Sequence, residues 1–173
     1  LNDAMVWGIF PLLLASKDFG LAEIGKIVAI YPMVWGLGQL ITGKLGDHIL
    51  KKRLLFWGML IQGISILGLL LSSSATSFTL VSIAMGIGTA IVYPNFMAAI
   101  ADNTDPIQRP SSLGIFRLWR DLGYTFGAIL TGWIADQYSI ENAVVIVGLL
   151  TVVSAVVIAL RMNNEHDSLL TSN

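Results

Sequence analysis

Six long runs of apolar residues, separated by short polar turns, most constrain the fold of this chain. They cover Leu1–Ser16, Ile24–Gly43, Leu54–Ser72, Phe78–Ala101, Ser111–Ala135 and Ala143–Leu160. At 1.5 Å per helical residue, the 19 residues of Leu54–Ser72 span about 28 Å, close to the ~30 Å hydrocarbon core of a bilayer. The pattern predicts an all-α integral membrane bundle of six helices.

The composition agrees with a membrane protein and excludes several other classes. Hydrophobic residues make up 55% of the 173 residues and charged residues 12%, against about 25% charged in a soluble domain. The cations are confined to turns and form no basic face, so nucleic acid is not an expected partner. The absence of cysteine excludes disulfides, thiolate metal sites and cysteine nucleophiles.

The first apolar run is the shortest, and it starts at the first residue. We therefore expect a first helix truncated at its N-terminus, within a six-helix unit covering residues 1–161. Residues 162–173 are polar and are predicted to form a disordered cytoplasmic tail.

Basic residues are distributed very unequally between the two sides of the predicted bundle. One side has two, Lys17 and Lys26, and the other has eight: Lys44, Lys51, Lys52, Arg53, Arg109, Arg117, Arg120 and Arg161. Because cytoplasmic loops carry the excess of Lys and Arg, both chain ends are predicted to be cytoplasmic.

An internal repeat relates the second and fifth runs at an offset of 89 residues, the separation of Thr42 from Thr131. Thr42–Asp47 reads TGKLGD, and the segment beginning at Thr131 reads TGWIAD. An offset of three helices reverses the direction of the second copy. The bundle is thus predicted to contain two inverted three-helix repeats, a construction found in many secondary transporters.

A family resemblance rests on the turn after the second run. The turn has the pattern Gly, any residue, Leu, any residue, Asp, followed by basic residues, at Gly43, Leu45, Asp47, Lys51, Lys52 and Arg53. With Tyr93-Pro94 and the segment RLWRDLGY at 117–124, it makes the chain resemble the C-terminal six-helix half of a major facilitator superfamily transporter. Leu50 and His48 depart from the family pattern, where Gly and Arg are usual.

The resemblance implies a secondary active transporter working by alternating access in the cell membrane. The expected function is proton-coupled export of a small molecule; uptake of a small organic solute, or a non-transporting sensor or scaffold, are the alternatives. It also implies gating by the motif residues, whose Asp47 would latch onto an N-terminal six-helix half. Lipid, a small-molecule substrate and protons are the other implied partners.

Charged residues inside the runs are candidates for substrate or proton binding, because an ionised group at the bilayer centre costs roughly 2.5–3.5 kcal/mol. Arg117, Arg120 and Asp121 form one such group, and the four-residue spacing of Arg117 and Asp121 favours their pairing. A purely structural ion pair is an equal alternative.

Asp3 is the other intramembrane carboxylate, at a depth that matches Arg117. We expect it to contact the arginine group across the first and fifth helices, as a proton site or a structural partner. In the resembled fold the first and fourth helices line the cavity, which adds Asn2, Trp7 and Asn95 as candidates.

An enzymatic function is not expected. The two histidines, His48 and His166, lie in a turn and in the tail without metal-ligand spacing, and no serine is placed beside a base. No cofactor or metal is predicted.

Overall fold

The computed structural model describes residues 2–46 and 48–162, and this part of the chain is helical without any β-strand. Every predicted run corresponds to helix. The helices are α1 (Asn2–Trp7), α2 (Ile9–Ala15), α3 (Leu21–Leu45), α4 (Lys51–Gly68), α5 (Ala75–Asp102), α6 (Arg109–Gln137) and α7 (Ile140–Arg161). A 3-10 turn, Leu69–Leu71, extends α4.

The first predicted segment is two short helices because Pro11 interrupts its hydrogen-bond ladder. Proline has no N–H to donate to Trp7, so the helix restarts at Ile9 and places Pro11 in its first turn, where no donor is needed. Asp18, with a φ of 62°, reverses the chain after α2. The pair is nevertheless central to the core, where Met5, Phe10 and Leu13 are fully buried.

Among the described residues, four helices are long and apolar enough to cross a membrane, by length and composition: α3, α4 with its 3-10 turn, α5 and α7. At 29 residues α6 would span about 43 Å, but its interior charges lower its hydropathy. The fold is therefore an all-α membrane bundle. Crossing by α6 and by the α1–α2 pair stays a prediction.

Glycines allow the central helices to approach closely. A Cβ at Gly88 of α5 would lie 2.9 Å from the carbonyl oxygen of Gly58 in α4. A Cβ at Gly63 of α4 would lie 3.0 Å from the backbone nitrogen of Val152 in α7. These contacts bring α4 against both α5 and α7.

The 89-residue offset relates α3 to α6 and α4 to α7, and the related helices have related packing partners. Helix α3 packs on α5 as α6 packs on α1, and α4 packs on α5 as α7 packs on α1 and α2. The buried Thr42 hydroxyl donates to the carbonyl of Gly38 at 3.1 Å, and Thr131 donates to Gly127 at 2.7 Å. The two inverted repeats thus share a local bond as well as a sequence pattern.

The predicted basic turn and the start of α6 lie at the same end of the bundle. Lys51, the first residue of α4, forms an ion pair with Asp102 at the end of α5. The Arg109 Nε donates to the carbonyl of Ala101 at 2.9 Å. Asp47 and the tail after Met162 lie outside the described residues, so the gating motif and the disordered tail stay predictions.

Candidate functional site

The carboxylate of Asp3 is held by two tyrosine hydroxyls from different helices. Tyr31 of α3 donates to Oδ1, and Tyr124 of α6 donates to Oδ2 at 2.6 Å. The bond to Tyr124 joins residues 121 positions apart, so it ties the first repeat to the second. An O–H donor to a carboxylate makes a charge-assisted bond, stronger than a bond between neutral groups.

A chain of polar side chains continues from Tyr31 into the core. Thr89 Oγ1 lies 3.0 Å from the Tyr31 hydroxyl, and the Gln62 Nε2 donates to Thr89. Thr89 has one hydroxyl hydrogen, and its Oγ1 also lies 3.1 Å from the Met85 carbonyl, so Tyr31 and Met85 compete for that hydrogen. The polar groups from Gln62 to Asp3 form a continuous network.

Arg120 contacts the aromatic rings of Tyr124 and Tyr93. Its guanidinium carbon is 5.9 Å from the Tyr124 ring centroid and 5.8 Å from that of Tyr93, whose hydroxyl accepts from Nη1 at 2.9 Å. Its Nε donates to Asp121 at 2.9 Å. Arg120 is thus occupied by aromatic faces and by its sequence neighbour.

Two cavities meet at Asp3 and Tyr124, which line both. The first, of about 340 Å³, also contains Arg120 and the polar groups of Gln62 and Thr89, and we call it the arginine cavity. The second, of about 540 Å³, is bounded by Trp7 and Trp35, and we call it the tryptophan cavity. Cavities of a few hundred Å³ with few polar groups are typical of small-molecule sites.

The structure brings together part of the predicted site. Asp3, Trp7 and Arg120 line the cavities, and Asp121 binds Arg120 from an exposed position. The side chain of Asn2 lies outside the described residues.

The other predicted site residues lie elsewhere. Arg117 is exposed, and the expected Arg117–Asp121 pair is replaced by the neighbouring Arg120–Asp121 pair. Asn95 lines neither cavity; its Oδ1 lies against Gly46, at the end of α3.

The expected contact between Asp3 and an arginine is not formed in the described part of the chain. Both carboxylate oxygens bind tyrosine, and Arg120 contacts the ring of Tyr124 instead of the carboxylate. Counting residues along each helix predicted how deep Asp3 and Arg117 lie in the membrane. It did not predict which way each side chain points around its helix axis. The tyrosine hydroxyls solve the same physical problem, since they satisfy the carboxylate without a counter-charge.

Sequence reasoning missed Tyr31, Gln62 and Thr89 as site residues. A signal was present, because polar side chains inside apolar helices face a partner or a cavity. Gln62 interrupts a run that is otherwise strongly apolar.

Within residues 2–46 and 48–162, no three His, Asp or Glu side chains are grouped as a metal site requires. The arrangement suits proton binding and recognition of a positive charge.

Comparison with known proteins agrees with this architecture. An uncharacterized MFS-type transporter of Methanocaldococcus jannaschii is 29% identical over 164 residues, which are 93% of this chain and 41% of the relative. A second, YvkA of Bacillus subtilis, is 27% identical over 139 residues, 80% of this chain and 31% of the relative. The methyl viologen resistance protein SmvA of Salmonella typhimurium is 29% identical over 117 residues, which are 67% of this chain and 24% of the relative.

The chain spans less than half the length of these relatives. The sequence model that describes the Major Facilitator Superfamily matches residues 1–172 of this chain. Because that match covers nearly the whole sequence, the chain belongs to the Major Facilitator Superfamily.

Proposed function

We propose that this chain is the C-terminal six-helix half of a secondary active transporter that exports a small molecule in exchange for protons. The family assignment and the inverted repeats support a transporter. The 31% and 41% of their length that two relatives share with this chain leave room for an N-terminal half. The basic end of the bundle, with both chain termini, faces the cytoplasm of the cell membrane in this proposal.

The single observation that carries proton coupling is the environment of Asp3. Its carboxylate lines both cavities and has two hydroxyl donors, while the arginine nearest in the site is occupied elsewhere. A carboxylate without a counter-charge in apolar surroundings is held by hydrogen bonds or becomes neutral by binding a proton. Asp3 is therefore suited to alternate between these two states.

Protonation of Asp3 also changes helix packing in this proposal. A protonated carboxyl turns one oxygen into an O–H donor and loses its negative charge, so it accepts the two tyrosine bonds less strongly than the carboxylate does. Weakening the Tyr31 bond frees α3, and weakening the Tyr124 bond frees α6. Either change links the proton to movement of one repeat against the other, as alternating access requires.

The direction of transport is inferred from one relative. SmvA is named for resistance to methyl viologen, and a transporter confers resistance most simply by export. Export is therefore favoured here over uptake of a small organic solute.

The test uses the full-length transporter in proteoliposomes, with solute movement followed under an imposed pH gradient. Asp3→Asn keeps the shape of the side chain but cannot carry a proton, and should abolish accumulation driven by the gradient. The matched control is Asp105→Asn, since Asp105 is exposed in the turn before α6 and should leave transport unchanged. Gradient-driven accumulation by Asp3→Asn at the wild-type level would refute the coupling role.

A further inference from the structure

The tryptophan cavity has a composition that selects for charge and shape. Of the side chains that line it, Asp3 alone is charged, and the walls are the Trp7 and Trp35 indoles and the ring of Tyr124. Arg120 lines the arginine cavity and contacts Tyr124 there. The tryptophan cavity is consequently negative, while the arginine cavity contains charges of both signs.

Both indoles contact the ring of Tyr31, whose hydroxyl donates to Asp3. The Trp7 ring meets Tyr31 edge-on at 6.4 Å between centroids, and Tyr31 lies 6.1 Å from Trp35. The faces of tryptophan and tyrosine attract cations, by about 0.5–2 kcal/mol for each contact. The cavity therefore offers aromatic faces and one negative charge to the same ligand.

The hydrogen bonds of Asp3 indicate which kind of cation fits. Each carboxylate oxygen already accepts a tyrosine hydroxyl, so two of about four lone-pair positions are occupied. An ammonium group with several N–H donors would find only the remaining positions at Asp3. A ring cation without N–H groups requires only charge and stacking, which the carboxylate and the indoles still provide.

The lining of the cavity suits a flat aromatic ligand, because aromatic rings pack on one another in offset-stacked or edge-to-face pairs. Small residues, Ala4 and Gly8 on the N-terminal segment and Ala128 on α6, complete the lining beside the indoles. A volume of about 540 Å³ accommodates a molecule of two or three fused rings.

We propose that the tryptophan cavity is the binding site for a flat, permanently charged aromatic cation, such as an N-alkylated heteroaromatic ring. The inference rests on the proposed function, since it names the substrate class of the same site. The cation stacks on Trp7 and Trp35 and is paired in charge with Asp3.

The probe is 1-methylquinolinium, with 1-methylnaphthalene as a neutral molecule of the same shape. Equilibrium binding is measured on the full-length transporter in detergent without any gradient. The cation should bind at least tenfold more tightly than the neutral probe. Trp7→Leu should weaken cation binding about 5- to 30-fold, the loss of one or two kcal/mol of cation–π attraction. Trp7→Phe should recover part of that affinity.

The matched control is Trp57→Leu, because Trp57 is an exposed tryptophan on α4 that lines neither cavity. Trp7 is 56% exposed, so its truncation removes little core packing. Equal affinity for the two probes, or equal binding by the Trp7→Leu and Trp57→Leu variants, would overturn the proposal. Cation binding as expected, in a protein that moves no protons with any solute, would instead reject the proposed function and retain the cation site.

Discussion

The two helices related by the internal repeat, α3 and α6, share one motif and differ in almost everything around it. Both carry a buried threonine that donates to the glycine carbonyl one turn earlier. Helix α3 packs against α5 and buries five residues, whereas α6 is longer and buries three, Gly127, Thr131 and Ile134. The two copies of the repeat are alike at the end of the helix, and the rest of each helix differs in what it packs against.

The difference teaches how a symmetric scaffold produces an asymmetric site. At the 89-residue offset Tyr31 corresponds to Arg120, and Trp35 corresponds to Tyr124. All four line a cavity beside Asp3 or bind a residue that does. The same two positions, one helical turn apart, therefore contribute to the site from both repeats, with different side chains in each copy.

The largest expected effect tests whether α3 is packed and α6 is open. A Cβ at Gly86 of α5 would lie 2.8 Å from the carbonyl oxygen of Tyr31, so Gly86→Leu forces α3 away from α5. Overpacking of this kind costs about 3 kcal/mol or more. Thermal unfolding of the full-length protein in detergent measures the loss.

The matched control for this change lies on α6. No atom lies within 4 Å of a Cβ built at Gly132, so Gly132→Leu should change stability by less than about 0.5 kcal/mol. Equal destabilisation by the two variants would remove the packing difference between α3 and α6.

A smaller effect is expected from the tyrosines that bind Asp3. Tyr31 is fully buried and also bonds Thr89, so Tyr31→Phe should destabilise the protein by about 1.5–3 kcal/mol. Tyr124 is partly exposed, and Tyr124→Phe should cost about 0.5–1.5 kcal/mol. Tyr138→Phe, at an exposed tyrosine, is the control and should be neutral. A reversed order of the two site variants would contradict the bonding described here.

The smallest effect compares the two repeat threonines directly. Thr42 donates to the Ala90 carbonyl of α5 at 2.6 Å as well as to its own helix, whereas Thr131 bonds within α6. Thr42→Val should therefore cost about 1 kcal/mol and Thr131→Val about half as much or less. Unfolding of the two variants side by side tests whether the shared motif has acquired a helix-to-helix contact in the first repeat. Identical costs would contradict that contact.

Sequence patterns were sufficient for the helices and insufficient for the site's geometry. Ser74 and Ser139, which accept from backbone N–H groups at the starts of α5 and α7, mark boundaries that hydropathy alone places three residues later. The break at Gly8 was also encoded, in Pro11, which predicts a kink at this point although the apolar run continues through it.

The partners of Asp3 could not be predicted in the same way. Counting residues along a helix gives depth, whereas the choice between a tyrosine and an arginine depends on the rotation and packing of three helices. Asn95 illustrates the same limit: it belongs to the expected cavity helix, yet packs against Gly46. The charged residues inside the apolar segments were enough to predict the region of the site. The uncharged hydrogen-bond donors around them could be identified only from the structure.

The central claim is that Asp3 alternates between a tyrosine-bound carboxylate and a protonated acid. Carbodiimides react with protonated carboxyl groups, so peptide mass spectrometry of the labelled full-length transporter locates the proton directly. The account predicts labelling at Asp3 that falls as pH rises, is blocked by bound substrate, and increases in Tyr124→Phe, which removes one donor to the carboxylate. Labelling of Asp121 in place of Asp3, or labelling of Asp3 that does not change with pH, would contradict it.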